Sequence, residues 1–385
     1  MTSALATVWV AHARRLADTL RDNGDLSSPE WHAAVSAVPR HLLVPRAYRQ
    51  DSTGAWDEFE TAATPERVYS PETLVTALQT VDGNRLPISS STKPDLMVRM
   101  LEILDVQDGH RVLEIGTGTG YNAALLAHRL GDEQVFSVDV DQDLVALARE
   151  RLDTAGFRPT LVAVDGVHGL SERAPFDRII ATCSVPAVPW EWAEQLTLGG
   201  TILVDLKLAN SAGNLVHLRR VGDRLEGRFT SRWAAFMAMR SGAAPEPLAV
   251  ADRVPGGQIR HTDAPATPWS EATVAWFLAH LRLPPGTSFG YDLDPGTRQP
   301  VATTFAAPDG SWARVSLTDR SVTEAGDTPL WSNVEWAYEQ WTIAGRPPWN
   351  RLGLTVTPDG AHQVWLDNPG NSHQWRLPAA PTPLM

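Results

Sequence analysis

The sequence has a single cysteine, Cys183, among 385 residues. That excludes a disulfide framework and a cysteine-ligated metal. No run approaches the roughly 20 apolar residues of a membrane span. Positive charge is also scarce. Lys+Arg 33 against Asp+Glu 45 leave a net −12, and the basic footprint that nucleic acid requires is missing. The start of the chain lacks the basic residues and long apolar core of a signal peptide. A cytoplasmic protein with neither membrane nor nucleic-acid partner is therefore expected. The 11 His show no metal-ligand spacing, so no metal is expected either. No nucleophile elbow or phosphate loop occurs. What the chain does have is 43% hydrophobic residues, 29 Pro and 15 Trp, with much of the Pro and Trp excess in the last third. This length predicts two domains.

The most informative segment is Val112-Leu113-Glu114-Ile115-Gly116-Thr117-Gly118-Thr119-Gly120-Tyr121. Val112 to Ile115 reads as a buried parallel strand. Three alternate glycines follow, then a helix with Ala123, Leu126, Ala127 and Leu130 on one stripe. A strand, a glycine turn and a helix N-terminus bring backbone N–H groups close to a ligand. The dinucleotide fingerprint requires Gly or Ala where Tyr121 stands, so a dehydrogenase is disfavoured. Glu114 suits a cationic ligand better than a pyrophosphate. S-adenosylmethionine carries a sulfonium and an ammonium, and Glu-x-Gly-x-Gly-x-Gly resembles motif I of its methyltransferases. Glu114, Gly116, Thr117, Gly118 and Gly120 are the resulting cofactor candidates. Asp139 ends the next strand, where an acid would accept from ribose hydroxyls. Asp165 and Gly166 end the third strand, facing where adenine would lie.

Alternating strands and helices from Arg111 predict an α/β fold: a doubly wound, Rossmann-like sheet with a C-terminal mixed α+β extension. The expected division is a helical and irregular segment over residues 1–85, a cofactor-binding core over 86–242, a Pro/Gly/Ala-rich linker over 243–268, and a Trp-rich extension over 269–385 read as a peptide-recognition domain. Asp309-Gly310 and Asp359-Gly360 are hairpin signals within that extension. Its tryptophans suit a core, or a surface that grips a peptide.

Ser89, Ser90, Ser91 and Thr92 stand in a row before Pro94. They would cap the helix that begins there, or hold a carboxylate. His168 and Cys183 read as structural residues.

Several ordered segments together resemble the protein-L-isoaspartate O-methyltransferase family over roughly residues 30 to 240. Ala37 to Pro45 is similar to its "AVPRxxFVP" segment, Val112 to Tyr121 to "VLEIGTGSGY", Ala174 to Ile180 to "APFDxII", and Leu198 to Val204 to "LxxGGxLVxP". The hydroxyl run resembles the substrate loop "ISxPxM", but it is expanded. Anchored on Pro94, the family's substrate serine falls on Thr92; anchored on Ile88, it falls on Ser89. Asp139 stands where the family usually has Glu. The resemblance implies an S-adenosylmethionine-dependent carboxyl methyltransferase acting on a peptide or protein with Asp or isoaspartate, with Ser89 to Thr92 at the substrate.

The expanded run and the extension are similar to a subgroup that methylates an aspartate in a ribosomally made, often macrocyclic, precursor peptide. The product there is an aspartimide or isoaspartate. General repair of isoaspartyl protein, a small-molecule O-methyltransferase and a peptide-binding scaffold are the other readings.

Overall fold

The computed structural model describes residues 2–81, 83–240 and 252–378. The chain begins with helices Thr2–Asp22 and Pro29–Ala37. The second starts where its sequence says it should. The Ser28 hydroxyl accepts from Trp31 N at 3.3 Å, and Pro29 occupies a first-turn position that needs no N–H. Trp31, Ala34 and Val35 pack into a buried cluster with Leu101, Leu104 and Leu125.

The stretch expected to be largely irregular makes a small antiparallel sheet. Its strands are β1 (Arg46–Gln50), β2 (Trp56–Glu60), β3 (Leu74–Val81) and β4 (Asn84–Ser91), in the order β2-β1-β3-β4. Sequence reading finds only β3, because the others are mostly exposed and carry no clean apolar alternation. The hydroxyl run therefore closes a strand. Ser89 and Ser91 turn inward and Ser90 is half-buried, the period-two alternation of a β-strand. Helix Pro94–Leu104 follows with Lys93 at its N-cap and no side-chain cap bond. The capping reading of the four hydroxyls is thus corrected: the strand directs them elsewhere.

The α/β core matches its expected class. Strands β5 (Val112–Ile115), β6 (Val135–Asp139), β7 (Thr160–Ala163), β8 (Phe176–Val185) and β9 (Leu196–Ala209) are parallel neighbours in the order β9-β8-β5-β6-β7. All four residues of β5 are buried, as helices on both faces demand. Helices Tyr121–Leu130 and Gln142–Ala155 follow β5 and β6. Two antiparallel strands, β10 (Ala212–Val221) and β11 (Arg224–Phe229), continue beyond β9. Sequence pattern places the second at residues 228–236; it lies earlier in the chain instead, because the chain leaves the sheet at Thr230.

The expected linker lies partly outside the described residues. Its described part is not merely a linker: β12 (Gln258–His261) lies within it and joins β13 (Ser288–Leu293), β14 (Pro300–Ala306), β15 (Trp312–Ser316) and β16 (Ser321–Ala325) in a separate sheet of order β12-β16-β15-β14-β13. The last three strands do something else. β17 (Leu352–Val356) pairs with β11, and β18 (His362–Leu366) and β19 (Gln374–Arg376) follow it, so among the described residues the core sheet grows to ten strands. Both Asp-Gly signals are hairpin turns, with Gly310 at φ +83° and Gly360 at φ +76°, where a side chain would be strained.

One apolar cluster runs from Leu113 and Ile115 of β5 through Phe229 to Trp331 and Trp349. Trp276 and Trp331 are fully buried, and Trp349 lies 5.3 Å from the Phe229 ring. These three serve in the core, whereas Trp312, Trp336 and Trp341 are only half-buried.

Candidate active site

The turn after β5 forms one wall of a cavity of about 390 Å³. Gly116 N and Thr117 N donate to Val138 O at 2.8 and 3.1 Å, which ties the turn to β6. Gly116 has φ +101°, and a Cβ there would sit 2.7 Å from Thr182 Oγ1, so only glycine fits. A Cβ on Gly118 would instead project toward Ser89 Oγ and Ser90 O, at 3.9 and 4.0 Å. The glycine turn and the hydroxyl strand are therefore facing walls of one space.

Glu114 lies beneath the turn, 1% exposed. One carboxylate oxygen accepts from Asn122 Nδ2 at 2.8 Å and the other from Ser137 Oγ at 2.6 Å. Burial pushes its pKa up to about 7, against the lowering effect of those two hydrogen bonds. Asp139 ends β6 with one oxygen accepting from Gly118 N at 3.1 Å and the other from Asp141 N at 3.2 Å. Arg240 bridges Asp139 at 3.5 Å and Asp141 at 3.3 Å. Asp165 caps its turn by accepting from Val167 N at 3.0 Å. Gly166 lines the cavity beside it, and Asp165 is not among the lining residues.

Ser89 to Thr92 all line the opposite wall. Ser89 Oγ accepts from Thr76 Oγ1 at 3.1 Å. Ser91 Oγ accepts from Arg40, whose ring-face contact with Tyr121 is 5.3 Å. Arg40 belongs to the Ala37–Pro45 segment, but sequence reading gave it no role. Tyr121, the residue that broke the dinucleotide pattern, is buried beneath it.

The third wall was not foreseen. Residues 230–240 leave the sheet and cross the cavity as an irregular strap. Ser184 N donates to Met237 O and Met239 N to Ser184 O, both at 2.8 Å. Phe236 N donates to Asp205 Oδ2 at 2.8 Å, and Lys207 Nζ donates to Phe236 O. Asp205 is fully buried, and that burial raises its pKa to about 6. Met237, Met239 and Arg240 reach the cavity together with Thr182 and Cys183. No local motif announces such a strap; the bonds named here that hold it to the cavity come from residues distant in sequence.

Comparison with known proteins agrees with this geometry. A family model described as Protein-L-isoaspartate(D-aspartate) O-methyltransferase (PCMT) matches residues 11–230. The chain belongs to this family. It is similar to Protein-L-isoaspartate O-methyltransferase 1 of Archaeoglobus fulgidus, 35% identical over 195 residues, covering 50% of this chain and 78% of that relative. It is also similar to the protein-L-isoaspartate O-methyltransferase of Thermococcus sibiricus, 32% identical over 193 residues, covering 49% of this chain and 75% of that one. A solved protein-L-isoaspartate O-methyltransferase shares the fold with TM-score 0.55 and 22% identity, covering 92% of this chain and 99% of its own. As a family member the chain is an S-adenosylmethionine-dependent methyltransferase. Among the described residues, no helix is long and apolar enough to cross a membrane.

The residues present fit that cofactor. The lining offers two acids, Glu114 and Asp139, for a cationic, ribose-bearing molecule. Asn122 Oδ1 is a buried acceptor with no partner among the described residues, and a buried acceptor without a donor is costly. Gly118 keeps its wall free of a side chain that would enter the cavity.

Proposed function

We propose that this family member methylates the free carboxylate of an isoaspartyl or aspartyl residue in a protein or peptide. The observation that carries the reading is one cavity with a glycine turn on one wall and four hydroxyl residues on the other. Glu114, Gly116, Thr117, Gly118 and Gly120 would form the cofactor's cradle. Asp139 would take its ribose, and Asp165 and Gly166 the adenine end. Bound there, S-adenosylmethionine supplies an electrophilic methyl group.

The other residues explain why a carboxylate suits this site. The free carboxylate, the side chain of an aspartyl residue or the α-carboxylate of an isoaspartyl one, has an ordinary pKa of about 4 or below and is ionised at neutral pH, so no general base is needed. Ser89, Ser90, Ser91 and Thr92 would fix one carboxylate oxygen and leave the other aimed across the cavity. Met237 and Met239 of the strap would exclude water. Positioning and desolvation then supply the rate. The backbone amide nitrogen of the following residue then displaces methanol from the ester to close a succinimide, which water opens to aspartate or isoaspartate.

A modified ribosomal precursor peptide is the second reading for the substrate. It is favoured by the expanded hydroxyl run and by the chain after residue 230, which lies outside the family match. The residue 269–385 extension would then select the peptide. Mass spectrometry separates the two. The enzyme would be incubated with S-adenosylmethionine and either a generic isoaspartyl peptide or a precursor peptide encoded beside the gene. Methylation of the first alone supports repair. Methylation of the precursor's aspartate followed by methanol loss supports peptide maturation. Modification of small acids alone would overturn both.

A further inference from the structure

Arg40 is completely buried, yet among the described residues it forms no salt bridge. Buried guanidinium groups ordinarily have a carboxylate partner. Arg40 instead donates to main-chain carbonyls: Val68 O at 2.8 Å, Ser70 O and Glu72 O at 3.2 Å, and Thr92 O at 3.3 Å. Its other target is a side chain. Nε and Nη2 both reach Ser91 Oγ, at 3.4 and 3.2 Å.

A hydroxyl oxygen has two acceptor lone pairs and one O–H. The two guanidinium N–H groups reach Ser91 Oγ from one side of the oxygen, and the cation turns the hydroxyl proton away from itself. That proton is left to donate, and it has no acceptor among the described residues. Ser91 is 2% exposed and lines the cavity. The neighbouring hydroxyls are not fixed in this way. Ser89 accepts a single bond from Thr76, while Ser90 and Thr92 are half-buried.

We propose that Arg40 is a positioning residue that presets Ser91 as the hydrogen-bond donor to the carboxylate receiving the methyl group. The assignment rests on the function proposed above and chooses among its four hydroxyls. It selects neither Thr92 nor Ser89, the two positions that motif alignment offers. An unpaired cation behind the hydroxyl strengthens the donor. Negative charge leaves the carboxylate as the ester forms, so the donor's contribution is aim. One oxygen is held and the other is presented. The same guanidinium holds Thr92 O and the approach to β3, so donor and strand are set together.

The test is a double-mutant cycle on the full-length enzyme, using an isoaspartyl peptide as substrate and S-adenosylhomocysteine affinity as the check on the cofactor half. Ser91→Ala should lower kcat/KM roughly 10- to 100-fold and leave S-adenosylhomocysteine affinity within about twofold. Arg40→Lys keeps the charge and loses the fork. It should lower kcat/KM in the parent and have no further effect in Ser91→Ala. An equal Arg40→Lys loss in both backgrounds would overturn the relay. If Arg40→Lys does not fold, Ser91→Ala decides alone: kcat/KM within twofold of the parent refutes the assignment. A parent enzyme that binds S-adenosylhomocysteine but methylates no peptide refutes the functional reading itself, and the assignment with it.

Discussion

Glu114 and Asp139 are both acids that line the cavity, but their settings differ. Glu114 is sealed under the turn with a pKa near 7, so its ionised fraction rises as pH rises through neutrality. A cationic ligand favours the ionised form. S-adenosylmethionine affinity should therefore increase between about pH 6 and 8, and Glu114→Gln should flatten that dependence. Isothermal titration at several pH values checks this; a flat profile in the parent would refute it. Stability moves the opposite way. A raised carboxyl pKa gives stability that is complete below the ordinary value of 4.5 and is lost as pH climbs toward about 7. Asp139→Ala should weaken cofactor binding by about tenfold or more. Thr92→Ala should lower turnover less than Ser91→Ala does, with cofactor affinity nearly unchanged, and comparable loss of both would remove Thr92 from the substrate wall. The glycine turn was legible because strand, turn and helix are contiguous in sequence. Arg40 was in view yet unassigned, because its importance depends on burial and on a strand about 50 positions away.

At the scale of elements, what was misread follows the same rule. Helices Pro29–Ala37 and Gln142–Ala155 announce themselves with caps, Ser28 and Asp141, whose oxygens accept from the first turn. Strands β1, β2 and β4 have neither caps nor an apolar alternation. The strap is further from view, since Asp205, Lys207 and Ser184 hold it from strands distant in sequence. Asp205→Ala leaves the buried Phe236 N–H without its acceptor, a cost of about 1–3 kcal/mol. It should lower the melting temperature and raise the peptide KM, whereas Asp205→Asn retains an accepting oxygen and should do much less. Melting curves and steady-state kinetics on the two variants test this together. Equal behaviour of Asn and Ala would mean that the bond to Phe236 contributes little.

At the scale of the molecule, sequence alone separates a core from an extension, whereas the described sheet runs through both. β17 covers the edge of β11, and Phe229, Phe277 and Trp349 pack together with ring centroids 5.3 to 5.7 Å apart. Trp349→Ala should cost about 3–5 kcal/mol. A chain ending after Arg240 would expose the β11 edge and one face of this cluster, and should be recovered as aggregate. A stable, cofactor-binding monomer from that truncation would show the core to be self-sufficient. The composition of residues 243–268 suggested a boundary, but composition reports chain flexibility and cannot reveal which later strand returns to which earlier edge.

The pairing of Glu226 with Thr355 also sets an order of events during synthesis. At ~5–20 residues per second, the ribosome releases β17 on the order of ten seconds after β11. Throughout that interval the nascent chain displays an unpaired strand edge, an open template for joining a neighbouring chain. Expression yield should therefore respond to chaperone supply and translation speed more than to any measure of the finished protein's stability.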